Sequence, residues 1–149
     1  KPLQIGAALA GADAAQLDAL GRFGHDIGMA FQLRDDVLGV FGDSAVTGKP
    51  SGDDLREGKR TVLVAFARRA LPDERRAALD ALLGDRTLDA ERIRDVQQTI
   101  VDTGALARTE ELIAEYERQA ENALEGARLG AGAVAELREL ARAATRRSS

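Results

Sequence analysis

The chain has 149 residues, 44% of them hydrophobic and 31% charged, with a formal net charge of −4 at pH 7. This length suffices for one domain with a hydrophobic core, and the acidic balance argues against general nucleic-acid binding, which needs a basic face. The absence of cysteine excludes disulfides and thiolate metal sites. No apolar run approaches the roughly 20 residues of a membrane span. We therefore expect a cytoplasmic globular protein that neither binds nucleic acid nor crosses a membrane.

Apolar residues recur at helical spacing along most of the chain. Residues 2–11 are rich in small residues and predict the end of a buried helix. Asp13 can cap a second helix that extends to about Phe41. A glycine-rich loop follows, and helix returns near Lys59. The apolar run 61–66 could form a strand, but no other segment offers it a partner. Further helices are predicted at 72–83, 89–104, 105–128 and 133–144.

These predicted helices are joined by short loops, without an internal repeat, a strand alternation or a dividing linker. Such a pattern is typical of helices packed on helices around one core. The sequence therefore predicts an all-α helical bundle that forms a single domain over residues 1–149.

Carboxylates and lysines concentrate between residues 31 and 61, which include two of the three lysines in the chain, Lys49 and Lys59. At about 100° per residue, the helix places one polar stripe opposite an apolar side. The stripe holds His25, Gly28, Gln32, Asp35, Asp36, Gly39 and Asp43. The apolar side, expected in the core, holds Phe23, Ile27, Ala30, Val37, Leu38 and Phe41. Because carboxylates bind Mg²⁺ and lysines pair with phosphate oxygens, this stretch predicts a site for a metal–phosphate complex.

Two glycines, Gly28 and Gly39, flank the aspartates on this stripe. A glycine inside a helix costs roughly 1 kcal/mol relative to alanine, so each position invites an explanation. The missing side chains either leave room for a ligand or permit a neighbouring element to pack closely, and the sequence leaves both explanations open. His25 lies on the same stripe without a partner motif, which favours a packed or solvated histidine over a catalytic one.

The run Phe-Gln-Leu-Arg-Asp-Asp-Val-Leu-Gly at 31–39 is followed by Phe-Gly-Asp, Thr-Gly-Lys, Gly-Asp-Asp-Leu and Gly-Lys-Arg-Thr. This series resembles the second aspartate-rich region of trans-polyprenyl diphosphate synthases, which include farnesyl and geranylgeranyl diphosphate synthases. The resemblance is specific, because several spaced elements agree in order. The first aspartate-rich motif and the Lys-Ser or Lys-Thr phosphate motif of that family are absent. We therefore expect this chain to correspond to the C-terminal half of a synthase.

The resemblance implies a Mg²⁺-dependent prenyltransferase that condenses isopentenyl diphosphate with an allylic diphosphate and elongates a linear isoprenoid chain. It implies that Asp35 binds Mg²⁺ directly, that Asp36 supports the metal and its waters, and that Asp54 acts through water. The usual pattern is Asp-Asp-x-x-Asp, whereas Gly39 holds the final position here. Asp43, one turn further on the same stripe, could replace the missing carboxylate through water.

The resemblance also assigns residues to the substrates. Lys49 and Lys59 match the lysines that contact the allylic diphosphate and contribute to catalysis. Gln32 matches the glutamine near that diphosphate and the reacting prenyl tail. Phe31 would line the prenyl cavity, although an ordinary core phenylalanine explains it nearly as well. The family commonly forms homodimers, which implies the same assembly for the complete protein.

Three hypotheses about function follow from these patterns. The first is a prenyltransferase whose complete form includes an N-terminal half, and the retention of Asp35, Lys49 and Lys59 favours it. The second is a non-catalytic helical partner or regulatory subunit that keeps one diphosphate–Mg²⁺ half-site, which the absence of the first motif favours. The third is a purely structural bundle with a fortuitous Asp-Asp pair, which the agreement of several spaced motifs disfavours.

Overall fold

The computed structural model describes residues 1–43, 48 and 50–145 of the chain. All regular elements within these residues are helices, which confirms the predicted all-α class. The helices are α1 (Pro2–Leu9), α2 (Ala14–Phe41), α3 (Asp53–Arg56), α4 (Val62–Ala70), α5 (Asp73–Leu82), α6 (Ala90–Asp102), α7 (Ala105–Glu125) and α8 (Ala131–Thr145). The apolar run near Thr61 is thus helical, and the sequence did not predict the four-residue helix α3. No helix in the described ranges is both long and apolar enough to cross a membrane.

Aspartate side chains cap the starts of α2 and α6. The Asp13 carboxylate accepts a hydrogen bond from the Gln16 main-chain amide at 2.9 Å, and the Gln16 side chain accepts one from the Asp13 main-chain amide at 3.0 Å. This reciprocal pair satisfies two main-chain donors at the start of α2. Asp89 accepts from the Arg92 amide at 2.9 Å at the start of α6. The cap predicted at Asp13 is therefore confirmed, and Asp89 caps the helix that was expected to begin there.

The described residues group into two compact units, 1–32 with 112–145 and 33–111. The first unit has a hydrophobic cluster of buried residues formed by Phe23, Ala120, Ala123 and Leu124. The second has a larger buried cluster formed by Val40, Leu55, Leu63, Val64, Ala67, Leu71, Leu79, Leu88, Ile93, Val96, Ile100 and Ala105. The single domain expected from the sequence stays a prediction.

Helix α1 differs from the expectation of a buried helix. None of its residues is buried, and Ile5 and Leu9 are 62% and 86% exposed. One described anchor is polar: the Gln4 side chain donates to the Leu17 carbonyl at 3.1 Å. The small residues of this segment predict a close approach between helices. They do not identify a surface that would cover large side chains such as Ile5 and Leu9. The prediction of burial is therefore wrong for this segment.

The predicted two-sidedness of α2 is largely confirmed. On the apolar side, Phe23, Ala30 and Val37 are buried, whereas the other three members, Ile27, Leu38 and Phe41, are half-buried. On the polar stripe, His25 is exposed, in agreement with a solvated histidine. The helix thus buries one side and leaves the acidic face accessible.

A close approach of two main-chain segments occurs at Gly58, which has φ +69°. A Cβ atom there would lie 2.9 Å from the Gly84 Cα, and the Gly84 amide donates to the Leu55 carbonyl at 2.9 Å. We expect Gly58→Ala to lower the free energy of unfolding by about 2–3 kcal/mol, from left-handed strain and a weakened hydrogen bond. Urea denaturation measures this loss.

Gly104→Ala is the matched control for this substitution. Gly104 has φ +73°, and no atom lies within 4 Å of the position that the alanine Cβ would take, so alanine there incurs the backbone strain alone. We expect a loss of about 1 kcal/mol for this variant. Equal losses at both positions would contradict a contribution from the approach of Gly58 to Gly84.

Candidate functional site

Two half-buried carboxylates, Asp35 and Asp36, lie next to each other on α2. On the same helix, Leu33, Val37 and Val40 are buried, at 2%, 5% and 1% exposed. This burial fixes the orientation of the helix, so the carboxylates stand on a rigid element and remain accessible from solvent. The structure thus agrees with the acidic face that the sequence predicts.

The space beside Gly39 is filled by the Asp54 side chain. A Cβ atom at Gly39 would overlap Asp54 Oδ2 and Cγ. Asp54 comes from α3, and its side chain is only 10% exposed. Its carboxylate therefore lies next to the position at which the usual motif has its third aspartate. Of the two explanations for Gly39, close packing is the one observed, whereas Gly28 has open space around it.

Lys59 is joined to this face through Asp54. Its Nζ lies 2.5 Å from Asp54 Oδ1 and 3.3 Å from Glu57 Oε2, and its side chain is 45% exposed. The hydrogen bond to Asp54 is the main cause that raises the pKa of Lys59, against a smaller opposing effect of desolvation. The ammonium is therefore charged at neutral pH, with part of its surface open to solvent.

Two long side chains that the sequence did not mark as site residues, Gln97 and Arg56, bind Ser51, which lies between α2 and α3. The Gln97 side-chain amide donates to the Val40 carbonyl at 2.6 Å and to Ser51 Oγ at 3.1 Å. The Arg56 guanidinium donates to the carbonyls of Leu88 and Ser51, both at 3.1 Å. These contacts join the end of α2, the segment around residue 51 and α6. No local pattern in the sequence marks them.

A bidentate ion pair anchors the acidic part of α2 to α7. Arg34 Nη1 and Nη2 donate to the two carboxylate oxygens of Glu110 at 2.6 and 2.8 Å. The side chains are 21% and 40% exposed, and two parallel hydrogen bonds make this a strong form of the arginine–carboxylate pair. The pair fixes the residue that immediately precedes Asp35.

The remaining predicted site residues are placed as follows. Gln32 is exposed and Phe31 half-buried on α2, and Asp43 is exposed just beyond its end. Lys49 lies outside the described residues, so its predicted contact is untested. The roles of all these side chains stay predictions.

The carboxylates on and near α2 can be compared with the oxygen ligands that Mg²⁺ requires. Among the described residues, no three His, Asp or Glu side chains converge as a ready metal cluster. Mg²⁺ is nevertheless commonly held by one or two carboxylates together with substrate phosphates and water. Asp35 and Asp36 fit that mode, because they offer hard oxygen donors on one accessible face. Asp54 is engaged by Lys59, so its action through water stays a prediction.

The sequence matches a family model and several known proteins. The Polyprenyl synthetase family model matches residues 1–100. A geranylfarnesyl diphosphate synthase of Aeropyrum pernix is 44% identical over 103 residues, which cover 69% of this chain and 31% of that protein. Component 2 of a heptaprenyl diphosphate synthase from Geobacillus stearothermophilus is 38% identical over 123 residues, covering 83% of this chain and 37% of that protein.

The fold has matching solved structures. A geranylgeranyl pyrophosphate synthase from Corynebacterium glutamicum, solved with isoprenyl diphosphate and magnesium, superposes with a TM-score of 0.89 at 43% identity. The match covers 96% of this chain and 41% of that one. The chain thus spans roughly a third of the length of the two curated relatives and two-fifths of the solved structure.

Proposed function

Since the chain belongs to the polyprenyl synthetase family, we propose that it forms the C-terminal, diphosphate-binding part of a prenyltransferase. The complete enzyme would condense isopentenyl diphosphate with an allylic diphosphate and elongate a linear isoprenoid chain. In this proposal, activity requires the further part of the synthase that the relatives contain beyond the matched region. The predicted homodimer and the cytoplasmic location belong to the same proposal.

The observation that supports this function best is the position of Lys59 beside the acidic face. Its ammonium contacts Asp54 at 2.5 Å, and Asp54 in turn packs against Gly39, one helical turn after Asp35. A cation and a pair of accessible carboxylates on adjacent elements suit a ligand that is a metal–diphosphate complex. Neither a plain solvated helix face nor a purely structural bundle requires this arrangement.

The proposed reaction begins when the allylic carbon–oxygen bond breaks and its electron pair leaves with the diphosphate. The alkene of isopentenyl diphosphate then forms the new carbon–carbon bond, and a proton is lost. Lys59, and by resemblance Lys49, would donate hydrogen bonds to the departing diphosphate and stabilise its growing negative charge. Gln32 would orient the allylic diphosphate, and Phe31 would border the prenyl tail.

Asp35 would hold Mg²⁺ directly, with support from Asp36 and, through water, from Asp54. When bound, the ion would neutralise charge on the diphosphate oxygens. The protein's own contribution is to hold these carboxylates on a helix that the core and the Arg34–Glu110 pair keep in place.

A thermal-shift experiment tests the proposal. Inorganic diphosphate should raise the melting temperature only when Mg²⁺ is present, by about 8 °C at a ligand concentration near 100 times Kd. Asp35→Ala should abolish this response, because it removes the direct metal ligand. Asp18→Ala, a change at an exposed carboxylate of the same helix, should respond like the unmodified chain.

A response of Asp35→Ala equal to that of the unmodified chain would show the metal assignment to be wrong. The second candidate function is a non-catalytic partner; one similar protein is named as component 2 of a synthase, which is compatible with a chain that acts together with another. Mg²⁺-dependent binding of diphosphate without turnover in the complete polypeptide would support that alternative.

A further inference from the structure

We infer that Gly39 is a positioning residue: the gap it leaves in α2 holds the Asp54 carboxylate, which in turn sets where the Lys59 ammonium lies. The inference concerns a position where the usual family motif has an aspartate and this chain has none. According to this inference, the absence of a side chain at residue 39 has a structural role, because it leaves room for Asp54.

The first step of the argument is steric. Both oxygens and the Cγ of Asp54 lie within 2.9 Å of the Cβ position that any other residue would have at 39. A side chain there and the present position of Asp54 therefore exclude each other. Asp54 belongs to the four-residue helix α3, which follows Gly52 in the left-handed region with φ +72°.

The second step concerns the lysine. Asp54 as a whole residue is 7% exposed, and its described charged partner is Lys59, at 2.5 Å. Glu57 lies 3.3 Å from the ammonium and has a side chain that is 47% exposed, so it constrains Lys59 less. Displacing Asp54 from the gap would therefore release Lys59 from the acidic face of α2.

The part of Lys59 in binding a diphosphate depends on the function proposed above. The packing of Asp54 against Gly39 does not depend on that proposed function. The test therefore measures the state of Lys59 directly, without substrate, so that failure of one proposal is distinguishable from failure of the other.

Competitive acetylation at trace reagent, followed by mass spectrometry, supplies this measurement. With only three lysines in the chain, the labelling of Lys59 can be expressed relative to the side chain of Lys1. We expect Gly39→Ala to raise this ratio roughly fivefold, as for the loss of a partly exposed ion pair. Asp54→Ala should raise it by a similar factor. Gly28→Ala, on the same helix with open space around it, should leave the ratio unchanged.

The double variant Gly39→Ala/Asp54→Ala decides whether the effect of Gly39 passes through Asp54. We expect its ratio to equal that of Asp54→Ala alone. A multiplied effect, or an unchanged ratio in Gly39→Ala, would overturn the inference. If Gly39→Ala fails to fold, recovery of folding in the double variant supports the inference, and failure of both variants overturns it.

Discussion

Replacing Lys59 by alanine is expected to lower the rate of diphosphate release from an allylic substrate by roughly 10²–10³-fold. The ammonium is charged, partly exposed and paired with Asp54, and under the proposed function it would stabilise charge on a leaving diphosphate. A steady-state assay on the complete polypeptide, with diphosphate detected as product, measures the effect. Lys59→Arg should retain more activity than alanine, because it keeps the charge but changes the donor geometry.

Lys1→Ala is the control for this assay, because Lys1 is an exposed lysine at the start of α1. Its activity should equal that of the unmodified protein. Lys59→Ala also leaves the buried Asp54 carboxylate without its ammonium partner, so the melting temperatures of the variants must accompany the rates. A fully folded Lys59→Ala protein with unchanged activity would contradict the proposed role.

The second large effect concerns the hydrophobic core behind the site. Ile100 is 0% exposed on α6, in the cluster that also includes Val40 and Leu55. Ile100→Ala should lower the free energy of unfolding by roughly 3–4 kcal/mol, because it removes buried methyl groups and leaves a cavity. Chemical denaturation measures the loss.

Val101→Ala is the matched control, since Val101 is the next residue on the same helix and is 43% exposed. It should cost less than about 1 kcal/mol, as expected for a surface position. Similar losses for the two variants would show that the cluster around Ile100 does not dominate the stability of this unit.

The helices were predictable because their signals are local. The bounds of α2 follow from the apolar spacing and from the Asp13 cap, and the Asp89 cap marks the start of α6. Helix α3 was missed because four residues are too few to show a helical period. The exposure of α1 was missed for a different reason, since an apolar composition does not identify the surface that would cover it.

The acidic face was also predictable, because the spacing of Asp35 and Asp36 on a helix decides their direction. The relation between Gly39 and Asp54 was not, because it depends on how α3 packs against α2. The sequence only showed that Gly39 required an explanation. The contacts of Gln97 had no signal at all, since a glutamine on a charged helix is common in any sequence.

Several described residues of the motif at 31–61 form hydrogen bonds with residues that are far away along the chain. Gln97 is separated by 57 residues from Val40 and by 46 from Ser51, and Glu110 is separated by 76 from Arg34. The motif therefore depends on contacts with residues that lie outside it. Transplanted alone into another helical scaffold, it would leave behind the Gln97 amide that binds Val40 and Ser51 and the Glu110 carboxylate that binds Arg34. A successful transplant would have to supply equivalents of Gln97 and Glu110 from the host.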